Sequence, residues 1–168
     1  PPNAAKHSAE VTRVAWNSQV SHILATASQS GATIVWDLRQ KKPWCELRDA
    51  ASRSPVSDVA WNPLEGLHLA TASGDDGNPV VRLWDLRAPA APTPTLAVGG
   101  GAYALARDGD GYLAACMGAG ARVLRAAPLA VAGVYDHHGS VVYGAVRHGP
   151  SRRIASCSFY DRGVHVWC

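Results

Sequence analysis

Short runs of alternating apolar and polar residues, separated by turn residues, recur along this chain. The first run, Val11-Thr12-Arg13-Val14-Ala15-Trp16, has a period of two and several β-branched residues, as strands do. Comparable first strands are predicted at Val56–Trp61, 102–106 and 141–146. Turn residues punctuate the pattern at Ser30-Gly31, Asp75-Asp76-Gly77, Asp108-Gly109 and Arg162-Gly163. The pattern therefore predicts an all-β chain with essentially no helix.

A longer sequence motif follows the first strand and occurs twice. Leu24-Ala25-Thr26-Ala27-Ser28 leads to Val35-Trp36-Asp37-Leu38-Arg39, and the same phrase runs from Leu69 to Arg87. Related anchors follow at Leu113 and Ile154, so the successive spacings are 45, 44 and 41 residues. A period of this length built from short strands is typical of a WD-repeat β-propeller. We predict about four blades, at residues 7–50, 52–97, 100–136 and 137–168. The third is degenerate because Arg122-Val123-Leu124 stands in place of the strand that carries the Trp.

The predicted ring is incomplete. Closed propellers have about 4–8 blades, and four is uncommon for this repeat type. The fourth predicted blade stops after its third strand, and residues 1–6, which would have to finish it, begin with two prolines that suit a strand poorly. We therefore expect a propeller segment.

Composition narrows the function classes. Apolar residues make up 47% and charged residues 17% of the 168 residues, which favours a folded domain. The net charge is +3, but the basic residues are scattered, so we expect no nucleic-acid partner. No apolar stretch approaches a membrane span and no secretory signal is visible, so we expect a cytoplasmic protein that reaches membranes only through its partners. The cysteines form no C-x-x-C pair, and we expect no metal and no cofactor.

Polar residues recur at matching places in the blades. In WD-repeat families, a His before the first strand, a Ser or Thr on the second strand, a turn Asp and the Trp form a hydrogen-bonded set. In this chain, the resemblance assigns the set to His7, Ser28, Trp36, Ser73, Trp84, His138, Ser158, Asp161 and Trp167. Ser30 holds the Asp position of the first blade, and Ser52 holds the His position of the second. Because buried polar groups are costly unless they satisfy each other, we interpret these residues as locking the blades, and we assign no catalytic residue.

The two halves of the chain resemble different WD-repeat families. Residues 1–96 resemble the large outer-cage subunit of the coat protein complex II vesicle coat, through Val14-Ala15-Trp16-Asn17, residues 30–39, Val59-Ala60-Trp61-Asn62-Pro63 and a long turn at residues 74–80. Residues 99–168 resemble the diphthine methyl esterase of the diphthamide pathway, through Ser158-Phe159-Tyr160-Asp161 and related strings, and we place this second part at residues 97–168. A Pro/Ala stretch at residues 88–95 joins the two parts. A natural fusion, a chimeric gene and divergent drift within one family all remain open at this point.

Three functions follow from these resemblances. The favoured one is a protein-interaction scaffold in a vesicle coat, which would bind other coat subunits on the cytosolic face of the endoplasmic reticulum during transport to the Golgi. The alternative is a carboxylic ester hydrolase acting on elongation factor 2, with candidate polar residues His137, Tyr143, Tyr160 and Asp161. No Gly-x-Ser-x-Gly motif supports that alternative, so we expect a non-enzymatic protein. The third is a generic WD-repeat adaptor, because a fold does not assign a partner.

Overall fold

A computed structural model describes residues 7–92, 94–118 and 120–168 of the chain. These residues form 15 strands in four antiparallel sheets and contain no helix, which confirms the predicted all-β fold class. Each sheet is one blade and lies within one of the four predicted ranges. The segment proposed to finish the fourth blade, residues 1–6, lies outside the described residues.

The strands follow each other in sequence order within every sheet. The first blade contains β1 Val11–Trp16, β2 Ile23–Ser28, β3 Ala32–Asp37 and β4 Lys42–Arg48. The second contains β5 Val56–Trp61, β6 His68–Ser73, β7 Val80–Asp85 and β8 Thr95–Ala97. The third contains β9 Ala102–Asp108, β10 Gly111–Cys116, β11 Gly120–Ala126 and β12 Leu129–Tyr135. The fourth has three described strands, β13 Val142–Arg147, β14 Ile154–Ser158 and β15 Val164–Trp167.

The first strands of consecutive blades lie against each other. β1 contacts β5, β5 contacts β9, and β9 contacts β13, whereas β13 and β1 make no comparable contact in the described residues. The four sheets therefore form an open series and not a closed ring, as expected for an incomplete propeller segment.

The hydrophobic core lies between the blades. Side chains alternate between the two faces of each strand, so every blade has two faces. We call the face toward the preceding blade the leading face and the face toward the next blade the trailing face. In the first junction, large side chains of the second blade, including Trp61, Leu69 and Trp84, cover small ones of the first blade, including Ala25 and Ala27. In the second junction, the leading face of the third blade packs on the trailing face of the second in the same way, through Leu105, Tyr112 and Leu124 on Ala70, Ala72 and Val81.

The predicted alignment of the third blade is wrong by one residue. The repeat anchor was predicted at Leu113, but Tyr112 occupies the position of Leu69 on the leading face and packs in the second core with Ala114 and Cys116. A slip of one residue moves every side chain of a strand to the opposite face, so Leu113 lies on the trailing face. Although this blade has lost its Trp-Asp pair, it keeps four strands.

The predicted boundary at residues 96 and 97 falls inside a strand. β8 Thr95–Ala97 pairs with β7, where Val80 is opposite Ala97 and Val81 is opposite Leu96. The next residue, Val98, is buried in the core that joins the second and third blades. The two predicted parts, residues 1–96 and 97–168, therefore share the core between the second and third blades.

Candidate functional site

A hydroxyl on the second strand of the first blade binds two side chains. His7 Nε2 lies 2.7 Å from Thr26 Oγ1, and the Trp36 indole N–H donates to the same oxygen at 2.8 Å. Burial lowers the pKa of His7, so its imidazole is neutral near neutral pH and Nε2 can accept a hydrogen bond from the Thr26 hydroxyl. The set ties the segment before β1 to the second and third strands of the blade.

The fourth blade holds the most complete set. Ser156 Oγ lies 2.8 Å from His138 Nε2 and accepts the Trp167 indole N–H at 3.0 Å. His138 Nδ1 lies 3.1 Å from Asp161 Oδ2, and the backbone N–H of Gly163 donates to Asp161 Oδ1 at 2.7 Å. Partial burial acts to raise the pKa of Asp161, but the hydrogen bonds from Gly163 and His138 outweigh it and lower the pKa. The resulting carboxylate orients His138 toward the serine.

The second blade keeps the bond between the hydroxyl and the indole but has a serine at the position of the histidine. The Trp84 indole N–H donates to Thr71 Oγ1 at 2.9 Å. Ser52 occupies the histidine position in sequence, and its Oγ accepts a hydrogen bond from the side-chain amide of Asn78 at 2.7 Å. Asn78 belongs to the long turn after β6, so the residue at the histidine position is tied to that turn.

Three of the predicted site residues are wrong. Thr26, Thr71 and Ser156 accept the indole hydrogen bonds that were predicted for Ser28, Ser73 and Ser158. The correct and predicted residues are two positions apart on one strand, so they share a face and alternation does not separate them. The predicted residues lie at the following turns instead. Ser28 and Ser73 accept the backbone N–H groups of Ser30 and Asp75, and the backbone N–H of Ser158 donates to the carbonyl of Gly163.

The fourth-blade set has the connectivity of a hydrolytic triad but not its access. Acid, imidazole and hydroxyl follow one another from Asp161 through His138 to Ser156, as in serine hydrolases. Ser156 is only 2% exposed, and its oxygen is already occupied by the Trp167 indole. The first blade repeats the imidazole, hydroxyl and indole arrangement around Thr26. A nucleophile needs an open path to a carbonyl carbon, so this geometry supports the blade-locking interpretation.

The polar candidates of the esterase alternative do not form one site. His137 is exposed and contacts the Tyr135 ring edge to face at 5.0 Å. Tyr143 stacks on Tyr103 at 5.0 Å and lies 6.3 Å from the Tyr160 ring. The Tyr160 hydroxyl, with a smaller contribution from burial, raises the pKa of Tyr143, so this phenol stays protonated at neutral pH. Within the described residues, no hydrogen bond joins His137 to the two tyrosines or to Asp161.

A buried carboxyl that links three blades was missed. Asp58 lies in the middle of β5, with Oδ1 3.0 Å from Arg13 Nε of the first blade. Its Oδ2 accepts the backbone N–H of Leu105 of the third blade at 2.8 Å. Burial raises the pKa of Asp58, although the hydrogen bond from Leu105 and the charge of Arg13 act in the opposite direction. The available signal was a single acidic residue inside the apolar run Val56–Trp61.

Two open clefts lie between blades. One, of about 520 Å³, includes Asp108, Arg125 and Arg147 between the third and fourth blades. The other, of about 460 Å³, includes His68 and Arg107 between the second and third. Neither is lined by the four polar candidates of the esterase alternative. Among the described residues, no group of three or more His, Cys, Asp or Glu side chains is placed to hold a metal ion, and no helix is long and apolar enough to cross a membrane.

The fold class is therefore that of an incomplete WD-repeat propeller segment, in which side-chain networks lock individual blades. The chain is similar to proteins named protein transport protein Sec31. It is 44% identical to Sec31A of Rattus norvegicus over 87 residues, which is 52% of this chain. It is 46% identical to SEC31 of Chaetomium globosum over 93 residues (55% of the chain) and 35% identical to SEC31 of Dictyostelium discoideum over 96 residues (57%).

The similarity covers a small part of these relatives. The matched stretch is 7% of the length of each of the three proteins, so the chain spans far less than two thirds of the curated relatives it matches. No family model matches the chain.

Proposed function

We propose that this chain is a protein-interaction scaffold, a WD-repeat propeller segment of a vesicle-coat outer cage that acts in transport from the endoplasmic reticulum to the Golgi. The observation that carries the proposal is the identity of 42–46% to several protein transport proteins over about half of the chain. The internal use of the polar residues supports it. The best-connected polar groups bind each other inside single blades, and this leaves rims and sheet faces as the surfaces that meet other molecules.

The proposed partners are other coat subunits, and the proposed location is the cytosolic face of endoplasmic reticulum membranes and coated vesicles. Attachment to the membrane would be indirect, through these partners. The long turn of residues 74–80 supports a rigid scaffold. Asp76 Oδ1 accepts the backbone N–H of Gly101 at 2.7 Å, and Ser54 Oγ donates to Asp75 Oδ2 at 3.1 Å, so the turn is tied to its own blade and to the next.

A vesicle-release reaction tests this proposal. Tagged chain is added to permeabilised cells depleted of the endogenous protein, and the vesicles released from the endoplasmic reticulum are collected by flotation. We expect the tagged chain to float with the vesicles together with the other outer-cage subunit. Depletion should also delay the Golgi-specific glycan processing of a secretory reporter. A chain that stays in the unbound fraction, with a normal processing rate, would contradict the scaffold proposal.

Two variants provide a matched control for that reaction. An added Cβ at Gly101 would lie 2.6 Å from the carbonyl oxygen of Gly74, whereas one at Gly149 meets nothing within 4 Å. Gly101→Ala should therefore lose vesicle association by disturbing the junction of the second and third blades, and Gly149→Ala should retain it. Circular dichroism of both variants separates lost binding from a general failure to fold.

We propose that the chain has no esterase activity of its own. The hydrogen-bonded series of acid, imidazole and hydroxyl in the fourth blade is buried at its hydroxyl end, at Ser156. Incubation of the folded chain with elongation factor 2 carrying methylated diphthine should release no methanol. Methanol release that is lost in Tyr160→Phe or in His137→Ala would instead establish the hydrolase alternative. A folded chain that neither associates with vesicles nor releases methanol would leave the generic adaptor.

We also propose that one natural polypeptide carries both parts, residues 1–96 and 97–168. The shared core at Val98 and the strand that spans the boundary support this. Mass spectrometry of cell extracts should detect the tryptic peptide of residues 88–107, which crosses the boundary. If only peptides from the separate sides occur, in proteins of different mass, the two parts belong to different proteins.

A further inference from the structure

Arg107 occupies a position that a tryptophan fills in the first two blades. It lies near the end of β9 and pairs with Tyr112, as Trp61 pairs with Leu69 in the second blade. At the first junction, Trp61 is buried and its indole N–H donates to the carbonyl of Ala15 at 3.0 Å. The third blade therefore places a charged guanidinium where the second blade places an aromatic ring.

The fold gives this guanidinium no carboxylate. In the described part of the chain, the buried Nε and Nη1 atoms of Arg107 have no hydrogen-bond partner. The guanidinium lies over the Tyr112 ring, with Cζ 4.9 Å from the ring centroid. This cation–π contact helps to hold the group in place but does not neutralise its charge. Because a buried donor without an acceptor is costly, an acceptor from outside the chain would be bound favourably here.

The next junction shows the partner that Arg107 lacks. Arg147 holds the same register position in the fourth blade, and its Nε lies 2.6 Å from Oδ1 of Asp108 on the third blade. The residue equivalent to Asp108 on the second blade is Asn62. The Asn62 amide has no charge, and its Oδ1 accepts the backbone N–H of Leu64 at 2.9 Å. The second junction therefore has the cation of this ion pair without the carboxylate.

Arg107 lines the open cleft of about 460 Å³ between the second and third blades. Both blades have four strands and a neighbouring blade on either side, so the cleft does not arise at an end of the chain. Leu64, Leu83 and Ala126 supply an apolar wall, and Leu64 is 71% exposed. An occupant of the cleft would therefore meet an apolar surface beside a guanidinium.

Three carboxylates of the cleft restrict the charge of the occupant. Glu65, Asp85 and Asp110 line it, and within the described residues none of them forms an ion pair with Arg107. Glu65 and Asp85 both contact the ring of His68, at Nδ1 and Nε2 respectively. A phosphate would bring up to two negative charges toward these groups, whereas a carboxylate brings one charge to the single guanidinium. The lining therefore favours a carboxylate on an apolar chain.

We propose that the cleft between the second and third blades binds an acidic segment of another protein. In the complex, an Asp or Glu carboxylate pairs with Arg107, and an adjacent apolar side chain packs on Leu64 and Leu83. The planar guanidinium matches a carboxylate with two parallel hydrogen bonds, and the long arginine side chain can turn its N–H groups toward it. The inference does not rest on the proposed coat function, because it uses only the junctions between blades.

A peptide selection tests the proposal. A phage library of short random peptides is depleted on the Arg107→Met variant and then selected on the unsubstituted chain. We expect the enriched peptides to carry Asp or Glu beside an apolar residue, and a synthetic copy of one should bind Arg107→Met at least tenfold more weakly. Arg125→Met is the matched control, because Arg125 is exposed on the same blade but lines the cleft between the third and fourth blades. It should leave the affinity unchanged.

Asn62→Asp tests the site without removing the arginine. The new carboxylate should pair with Arg107 as Asp108 pairs with Arg147, and so compete with the peptide. We expect the synthetic peptide to bind this variant at least tenfold more weakly, while the thermal midpoint of the chain is retained or raised. Circular dichroism of every variant separates lost binding from a failure to fold.

Four outcomes would overturn the proposal. Enriched peptides without an acidic residue would do so, and so would equal binding of the peptide by the unsubstituted chain and Arg107→Met or Asn62→Asp. Selection of basic peptides would show instead that the carboxylates of the cleft determine its ligand. A folded chain that enriches no peptide would overturn the inference even if it floated with vesicles, and the proposed coat function would then stand without it.

Discussion

Trp16 and Trp61 are the same residue at the same position of neighbouring blades, yet they have different surroundings. Each ends a first strand and pairs with a leucine, Leu24 or Leu69, on the next strand. Trp61 is buried in the junction of the first two blades, whereas Trp16 is exposed at the end of the series. The comparison shows that the repeat fixes which strand forms and which way a side chain faces. The place of the blade in the series decides whether that side chain is buried.

The largest expected difference comes from truncating these two tryptophans. Trp61→Ala removes a buried ring and its hydrogen bond to the Ala15 carbonyl, and should lower the free energy of unfolding by about 3–5 kcal/mol. Trp16→Ala should lower it by no more than about 1 kcal/mol in the monomer. Urea denaturation at low protein concentration, followed by circular dichroism, measures both values. Equal losses would show that the first-blade face is covered within a single chain.

A glycine comparison tests the second junction against an exposed loop. Gly101→Ala should cost about 1–3 kcal/mol, because the added methyl group meets the backbone of Gly74 and forces the two blades apart. Gly149→Ala has open space around it and should change the free energy of unfolding by less than about 0.5 kcal/mol. Thermal unfolding of the two variants side by side measures the difference. A neutral Gly101→Ala would mean that the junction yields easily.

The two hydroxyls of β6 allow a test within one blade. Thr71→Val keeps the shape of the side chain but leaves the buried Trp84 indole N–H without its acceptor, at a cost of about 1–3 kcal/mol. Ser73→Ala removes an acceptor for the half-buried backbone N–H of Asp75, and should cost less than Thr71→Val. Denaturant midpoints at pH 7 rank the two. If Ser73→Ala proved the more damaging, the predicted role of that serine would be restored.

The smallest expected effect is a pH dependence in the fourth blade. The folded-state pKa of Asp161 lies below its ordinary value of 3.8, so the group stabilises the fold above that value and the stabilisation is lost as the pH falls from about 5 toward the folded pKa. Asp161→Asn should therefore lose less stability than the parent between pH 5 and pH 3. Asp110→Asn, in an exposed turn, serves as the control. An identical decline in the parent and in Asp161→Asn would show that this carboxyl does not contribute.

Much of the fold was predictable from the sequence because its signals are local. Alternation within six residues located β1 and β5 to the residue, and the repeated Ala-Thr-Ala-Ser phrase located β2 and β6. The third blade was harder. It has no Trp to fix the register, and Tyr112 and Leu113 are both apolar, so only packing against the second blade shows which one faces the core.

The polar sets were predictable only in part. The sequence separation of His138 and Trp167 matches that of His7 and Trp36, and this identified the blades that hold an imidazole. The separation did not identify which hydroxyl lies between the imidazole and the indole. β2 and β14 each carry two hydroxyl residues on one face, Thr26 and Ser28 in β2 and Ser156 and Ser158 in β14. The role of Asp58 could not be predicted from the sequence for a different reason. Its partners, Arg13 and Leu105, are 45 and 47 residues away, and a single sequence does not show which blades meet.

The exposed trailing face of the fourth blade has a consequence for thiol chemistry. Cys157 lies on this face, beside Val164, and is exposed. Cys116 is buried in a core, and burial raises its pKa to about 11. Almost none of this thiol is ionised at neutral pH, so it reacts very slowly with alkylating reagents. Cys45 is half-buried, and burial raises its pKa as well, so an alkylating label reacts first with the exposed Cys157 and Cys168. A sheet that packs on the fourth blade will slow the labelling of Cys157. The alkylation rate of Cys157 therefore reports whether this end of the propeller is occupied.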